Sequence, residues 1–220
     1  MADNFYTLKL YPFQDEVLQI INQIESGFYL SGGTAASRGY LNHRYSDDLD
    51  FFVNDEPDFG LWVERIIQAL ISAGNWEMEI LSRYDRFIRL SLNQSELMLK
   101  LEFINDVPAR VGEVMKHPTL GIIDNAENIL ANKLTALLTR EEPKDLADVW
   151  GFCCLMDLSL EGAITGAQGK AAGIFPADLS RVLLSASKAD FDIIRWIKRP
   201  NVEAFIRDLH HLGEKLIILD

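Results

Sequence analysis

The chain has 220 residues, of which 48% are hydrophobic and 25% charged, enough for one or two domains with a sizeable core. The 33 acidic residues outnumber the 21 lysines and arginines, giving a net charge of −12. This charge opposes general nucleic-acid binding, although a local basic face or a basic protein partner remains compatible with it. No stretch is long enough and apolar enough for a membrane span, and no signal peptide is visible, so we expect a cytoplasmic protein.

The first half of the chain mixes helical and strand-like patterns. Helical spacing of apolar residues predicts helices over residues 13–24, 34–41 and 61–73. Short apolar or alternating runs predict strands over residues 28–30, 49–53, 76–82, 86–92 and 97–104. Strands interleaved with helices and then following one another are typical of a mixed sheet with helices packed on it.

The second half is almost purely helical in pattern. Asp124, with Glu127 three residues later, predicts a capped helix start, and Pro143 suits the first turn of the next helix. Further along, the pattern predicts a glycine-rich loop and two helices, over residues 162–173, 176–187 and 202–219.

These patterns together predict an α+β fold with a soft internal boundary. We expect an α/β domain over residues 1–122 and a helical domain over residues 123–220 packed on it. Two adjacent cysteines, Cys153 and Cys154, lie in an apolar helical pattern and are interpreted as reduced core residues. The four histidines show no metal-ligand spacing with them.

Asp48 and Asp50 flank Leu49 at the start of a predicted strand. Residues two apart on a strand face the same side, so both carboxylates share one face while Leu49 and Phe51 point into the core. Neighbouring carboxylates repel unless a cation lies between them, and Mg²⁺ favours carboxylate oxygens together with phosphates. Glu102 becomes a third carboxylate if its strand is the neighbour, an arrangement that can hold two metal ions for phosphoryl chemistry. A solvated strand edge is the alternative.

A glycine turn precedes these aspartates. Gly32, Gly33 and Thr34 follow a predicted strand and open a predicted helix, where backbone amides can cradle phosphate oxygens. A simple tight turn is the alternative. Arg44 and Ser46 are candidates to orient the aspartates, or else plain surface residues.

Other charged residues are candidates to contact phosphates. Lys100 shares a predicted strand face with Glu102, and Lys133 and Arg140 lie on nearly one helix face. Asp145 and Asp148 share a face of the following helix. The alternative is that all of these form solvated faces of a strand and two helices.

The ordered motifs resemble the AbiEii/AbiGii family of nucleotidyltransferase toxins, which belongs to the DNA polymerase β-like nucleotidyltransferase superfamily. The resemblance covers about residues 28–150, with departures at Glu102 and Lys144, where aspartate and arginine are usual. The matching stretches are Gly-Gly-Thr at 32–34, His-Arg-x-Ser-x-Asp-Leu-Asp-Phe-Phe at 43–52, Lys-x-Glu at 100–102, Lys-x-x-Ala-x-x-x-Arg at 133–140 and Lys-Asp-x-x-Asp at 144–148.

The resemblance implies that the chain transfers a nucleoside monophosphate from a nucleoside triphosphate to an acceptor. It implies two Mg²⁺ ions held by Asp48, Asp50 and Glu102, with Lys133 and Asp148 completing the catalytic set. The implied nucleotide-binding residues are Gly32, Gly33, Thr34, Arg44, Ser46, Lys100, Lys133 and Arg140. It further implies an RNA acceptor, notably tRNA, and a cognate antitoxin protein.

Two other functions stay open at this point. One is nucleotidyl transfer to a small molecule or a protein side chain, which the net charge of −12 favours mildly. The other is a binding module that keeps the fold without catalysis. In the C-terminal half, Trp196, Lys198 and Arg199 form a basic-aromatic cluster that suits RNA contact, with an ordinary helix end as the alternative.

Overall fold

The computed structural model describes residues 2–140 and 142–217. Contacts within the chain group it into two compact units, each made of separate segments. The first unit comprises residues 1–35, 46–108 and 114–124, and the second comprises residues 36–45, 109–113 and 125–220. The domain boundary near residue 122 stays a prediction.

A mixed sheet organises the first unit. Among the described residues it has seven strands in the order β3-β4-β5-β2-β1-β7-β6. The β2–β5 and β1–β7 pairs are parallel, and the other neighbours are antiparallel. The strands are β1 (Tyr29–Ser31), β2 (Leu49–Asn54), β3 (Glu77–Tyr84), β4 (Phe87–Gln94), β5 (Leu97–Asp106), β6 (Met115–His117) and β7 (Gly121–Ile123). The predicted mixed α/β fold is confirmed, whereas β6 and β7 were not predicted, since three residues are too few for a periodic pattern.

The first unit has four helices among its described residues. They are α1 (Ala2–Phe5), which continues through a π-helical stretch (Tyr6–Leu10) into α2 (Tyr11–Ile21), then α3 (Gly32–Thr34) and α4 (Phe59–Ala73). Phe28 joins sheet and helix in this core, with its ring centroid 5.2 Å from that of Phe103 and 5.9 Å from that of Phe59. Phe51 stacks on Phe103 at 5.3 Å, which fixes the buried face of β2 against that of β5.

The second unit is helical, apart from short connecting segments. Its helices are α5 (Ala126–Arg140), α6 (Pro143–Trp150), α7 (Leu160–Lys170), α8 (Pro176–Leu184), α9 (Lys188–Ile193) and α10 (Val202–Ile217), with π-helical stretches at Ala35–Leu41 and Gly151–Leu155. The end of the helix predicted to run to residue 219 lies outside the described residues. No helix in the described part of the chain is long and apolar enough to cross a membrane.

The glycine-rich loop predicted over residues 162–173 is wrong, because most of it is helix α7. One of its glycines permits close packing: a Cβ on Gly166 would lie 2.4 Å from Val111 Cγ2 and 3.3 Å from Ala131 Cβ. Packing against a neighbouring segment therefore outweighs the low helix propensity of glycine here.

Two smaller expectations also need correction. The side chain that caps α5 is that of Asn125, whose Oδ1 accepts a hydrogen bond from the Asn128 amide at 2.9 Å, whereas the predicted Asp124 carboxylate accepts one from the Ser31 hydroxyl at 2.8 Å. Of the two unbridged cysteines, Cys153 is buried but Cys154 is exposed.

Candidate active site

The three predicted carboxylates lie on neighbouring strands of the first unit. Asp50 on β2 is the register partner of Glu102 on β5, as expected if the two strands are neighbours. The alternate residues, Leu49 and Phe51, are at most 2% exposed, so the apolar side of β2 is buried. Two-residue periodicity therefore directs Asp48, Asp50 and Glu102 to one face of the sheet.

Hydrogen bonds hold the segment that leads into β2. The amide of Gln14, a fully buried side chain, donates to the carbonyls of Ser46 and Asp47 at 3.2 and 3.1 Å. The hydroxyl of Thr34 donates to the carbonyl of Asp48 at 2.5 Å. These bonds tie the glycine turn and helix α2 to the backbone of the aspartates, so the position of Asp48 is set from two sides.

Gly32 is shaped to the carboxylate of Asp50. Its φ of +64° is in the left-handed region that glycine adopts without strain. A Cβ built on Gly32 would lie 2.1 Å from Asp50 Oδ2, so no larger residue fits while that carboxylate keeps its place. Beyond turning the chain, the glycine therefore makes room for the aspartate.

Two basic side chains neutralise part of the charge on this face. Lys100 Nζ lies 3.0 Å from Asp48 Oδ2 and 3.4 Å from Glu102 Oε1. Arg89 on β4 places both Nε and Nη2 at 2.9 Å from Glu102 Oε1. Burial acts to lower the pKa of Lys100, but the hydrogen bond to Asp48 and the charges of Asp48, Glu102 and Asp50 raise it above its usual value. Lys100 is therefore a cation at neutral pH.

The three carboxylates suit a divalent metal ion, although Asp48 and Glu102 are both in contact with the Lys100 ammonium in this structure. Among the described residues, no group of three or more His, Cys, Asp or Glu side chains is arranged to hold a metal ion. The chemistry of the donors nevertheless fits Mg²⁺, which prefers carboxylate oxygens. The Lys100 ammonium, in contact with Asp48 and Glu102, shows that this face accepts a cation. Asp48, Asp50 and Glu102 are the residues that would hold the ion.

Several other predicted site residues form a buried ion cluster in the second unit. Arg44 makes a two-pronged contact with Asp148, with Nε to Oδ1 and Nη2 to Oδ2 both at 2.7 Å. His43 Nε2 lies 3.0 Å from Asp148 Oδ1. These three residues are at most 3% exposed, so the pairs are almost fully removed from water.

Lys133 completes this cluster. Its ammonium lies 2.7 Å from Asp145 Oδ1 and 2.6 Å from Asp148 Oδ2, and Arg140 Nε lies 2.8 Å from Asp145 Oδ2. Burial acts to lower the pKa of Lys133, but the charges of Asp148 and Asp145 raise it. The alternative that these residues form a solvated helix face is wrong for Lys133, Asp145 and Asp148, which are buried.

The aspartates of the cluster are held ionised and His43 is held neutral. Burial acts to raise the pKa of Asp148, but the charges of Arg44 and Lys133 bring it well below its usual value. Burial is the main cause that lowers the pKa of His43. In the described part of the chain, His43 Nδ1 is buried without a hydrogen-bond partner, which suits a neutral ring that donates from Nε2 to Asp148.

A model of the AbiEii family, described as nucleotidyl transferase AbiEii toxin of type IV toxin–antitoxin systems, matches residues 18–153. The chain belongs to the AbiEii family. The match includes every predicted site residue from Gly32 to Asp148. This family consists of nucleotidyltransferases, which gives a basis for interpreting the carboxylate face.

Solved structures share the fold of this AbiEii-family chain. JHP933 from Helicobacter pylori is 21% identical, with a TM-score of 0.66 and coverage of 96% of this chain and 92% of that one. MenT4, a nucleotidyltransferase toxin from Mycobacterium tuberculosis H37Rv, is 21% identical, with a TM-score of 0.63 and coverage of 96% and 84%. No curated protein matches the sequence significantly.

Several residues that support the site of this AbiEii-family chain were not predicted from the sequence. Arg89 holds Glu102, Gln14 holds the segment before β2, and the Tyr6 hydroxyl donates to Asp47 Oδ1 at 2.6 Å. The signal available for Arg89 was its place in the alternation of β4, opposite Glu102. Tyr6 and Gln14 lie far from the aspartates along the chain, so no local pattern links them.

In the predicted basic-aromatic cluster of Trp196, Lys198 and Arg199, the aromatic ring packs against other side chains of the protein. Trp196 lies among aromatic rings, with centroid distances of 5.1 Å to Phe191 and 5.4 Å to Phe205, and its Nε1 donates to the Phe191 carbonyl at 3.0 Å. Lys198 and Arg199 are exposed. Contact between these two residues and RNA stays a prediction.

Proposed function

We propose that this AbiEii-family chain is a Mg²⁺-dependent enzyme that transfers a nucleoside monophosphate from a nucleoside triphosphate to an RNA hydroxyl, with tRNA as the acceptor. As the toxin of a type IV toxin–antitoxin pair, it would act in the cytoplasm and have a cognate antitoxin. Family membership supports nucleotidyl transfer. The RNA acceptor and the metal belong to the proposal.

The observation that carries the proposal is the carboxylate face beside the glycine turn. Asp50 and Glu102 are register partners, and Asp50 lies so close to Gly32 that a Cβ there would be 2.1 Å from its oxygen. Phosphoryl transfer demands concentrated negative charge for metal binding and a turn that admits phosphates, and both features occur together here.

The residues of this face divide the work of the reaction. The backbone at Gly32 and Gly33, with Thr34, would bind the triphosphate, and Asp48, Asp50 and Glu102 would hold Mg²⁺. A divalent ion bound there would neutralise phosphate charge and would lower the pKa of the attacking hydroxyl. The hydroxyl oxygen bonds to the α-phosphorus as the bond to the bridging oxygen breaks; pyrophosphate leaves and the hydroxyl proton passes to solvent or a carboxylate.

Labelled nucleoside triphosphates test the proposal directly. Purified protein is incubated with Mg²⁺ and each labelled triphosphate, with and without total tRNA. The matched control is Asp48→Asn, which removes charge from a half-buried carboxylate without changing its shape. Label on tRNA with the wild type alone is the expected result; equal transfer by Asp48→Asn would refute the metal assignment.

Transfer that does not need RNA would favour a second function. The net charge of −12 supports this alternative, since a polyanionic acceptor is repelled by an acidic protein. Label on a small molecule or a protein in the absence of RNA would support it. If no triphosphate with Mg²⁺ raises the melting temperature, the fold is kept without nucleotide binding.

The roles of the second-unit residues stay predictions and need their own variants. Lys133 would neutralise phosphate charge, and Asp148 would position it, which agrees with their contact at 2.6 Å. The Arg44 guanidinium is engaged by Asp148, and the Lys133 ammonium by Asp145 and Asp148, so these contacts also support a structural role for both residues. Lys133→Arg keeps the charge, so a loss of transfer without loss of stability would separate the catalytic role from the structural one.

A further inference from the structure

We propose that Lys100 is an internal counter-cation of the carboxylate face, which a divalent metal ion must displace, so that metal binds together with nucleotide and only weakly alone. This inference rests on the proposed function, because it concerns the metal of the same site. Lys100 would therefore help to control when the carboxylate face binds metal.

The contacts of Lys100 place it in competition with a metal ion. Its ammonium is 3.0 Å from Asp48 Oδ2 and 3.4 Å from Glu102 Oε1, two of the three carboxylates proposed as ligands. A cation bound to these oxygens repels an approaching divalent ion. Metal can occupy the face fully only after the ammonium has left Asp48.

The two basic residues on this face differ in how firmly they are held. Arg89 directs two N–H groups at one oxygen of Glu102, and its guanidinium lies over the Phe87 ring at 5.1 Å from the centroid. Lys100 contacts Asp48 and Glu102 through a single ammonium group on a flexible stem. Lys100 is therefore the cation that can move, and Arg89 is the one that keeps Glu102 in place.

Charge balance explains why nucleotide would favour the exchange. In the described contacts of this face, three carboxylates and two basic side chains sum to one net negative charge, too little to attract two divalent ions. A triphosphate brings negative charge that offsets the added metal ions and offers the released ammonium of Lys100 a new partner. Metal and nucleotide therefore support each other's binding.

Mn²⁺ binding without nucleotide tests the inference by a readout other than activity. Electron paramagnetic resonance titration compares the wild type with Lys100→Met, Lys100→Arg and Asp48→Asn. The matched control is Lys116→Met, which removes the same charge from an exposed site on β6, at the far edge of the sheet. We expect Lys100→Met to bind Mn²⁺ about tenfold more tightly than the wild type, since a screened unit charge a few ångströms away has an effect of this order. Lys100→Arg and Lys116→Met should bind like the wild type.

The outcomes separate this inference from the proposed function. Unchanged or weaker binding by Lys100→Met, with binding lost in Asp48→Asn, would overturn the counter-cation role and leave the metal site intact. Equal tightening in Lys100→Met and Lys116→Met would also overturn it, because the cause would be overall charge. An absence of Mn²⁺ binding in every variant would remove the metal assignment and this inference together.

A second measurement uses the wild type and so does not depend on the folding of a variant. Acylation of lysines by an amine-reactive reagent is quantified by mass spectrometry with and without Mg²⁺ plus triphosphate, and with Mg²⁺ alone. If a metal ion displaces Lys100 from Asp48, its reactivity relative to Lys116 should rise several-fold at a Mg²⁺ concentration high enough to saturate the site without triphosphate, and should stay unchanged at a low Mg²⁺ concentration without triphosphate. A constant ratio between the two lysines would contradict displacement.

Discussion

Replacing Gly32 by alanine should damage the site more than the fold. The residue has a φ of +64°, and an alanine in that conformation costs about 1–2 kcal/mol. The new Cβ would also lie 2.1 Å from Asp50 Oδ2. Because the aspartate side chain is half-buried and can rotate, the clash is relieved by moving the carboxylate by at least about 1 Å, a misplacement that can cost about 100-fold in rate.

Gly74→Ala provides the matched control for this change. Gly74 ends α4 with a φ of +69°, but the nearest atom to its built Cβ is the Ser72 carbonyl oxygen at 4.0 Å. The melting temperature of both variants should therefore fall by a similar amount, about 2–8 °C for a chain of this size. Only Gly32→Ala should lose nucleotidyl transfer.

The assay pairs calorimetry with initial rates of label transfer. If Gly32→Ala transferred label at the wild-type rate, the placement of Asp50 by the glycine would be refuted. A parallel loss of rate in Gly74→Ala would show instead that the effect follows from reduced stability. The comparison thus separates a local steric effect from a general one.

Three further variants probe the second unit. Asp148→Asn leaves Arg44 and Lys133 buried without their shared partner, so the free energy of unfolding should fall by about 3–5 kcal/mol in urea; a change below 1 kcal/mol would contradict a buried cluster. His43 has a lowered pKa in the folded state, so the unfolded state binds a proton more readily and the free energy of unfolding should fall as the pH drops below about 6.5. Between pH 7.5 and 5.5 this fall, measured by urea titration, should be smaller in His43→Gln than in the wild type. An equal fall in the two proteins would refute the role of His43. Ser187 forms a capping box at α9, so Ser187→Ala should lower stability by about 1 kcal/mol and leave transfer unchanged in the same assays.

The carboxylate face could be predicted because its signal is local. Alternation on β2 and β5 fixes which side chains share a face, and the pairing of Asp50 with Glu102 follows once the strands are neighbours. The two-residue alternation of side chains on a strand can be recognised within a few residues of sequence. The contact between Gly32 and Asp50 joins residues close in sequence, yet its steric tightness depends on the sheet register and was not predicted.

The burial of the charged helix residues could not be predicted from spacing. Lys133 and Asp148 look like parts of solvated helix faces, since lysine and aspartate are seldom buried unless paired. Their partners come from other segments of the chain. Arg44, for example, lies shortly before β2, far from α6 in the sequence. In the same way, Gly166 indicates a loop when only the sequence is considered, because its close approach to Val111 is visible only in the structure.

The pairing of Arg44 with Asp148 also sets an order of events during synthesis. The two residues are 104 positions apart, so at ribosomal rates Asp148 emerges roughly 5–20 s after Arg44. Throughout that interval the segment 36–45, which belongs to the second unit, has none of the cluster's aspartates available to it. A nascent chain that already contains the carboxylates of the first unit therefore cannot close its buried ion cluster until α6 has been made, and the last helices follow later still.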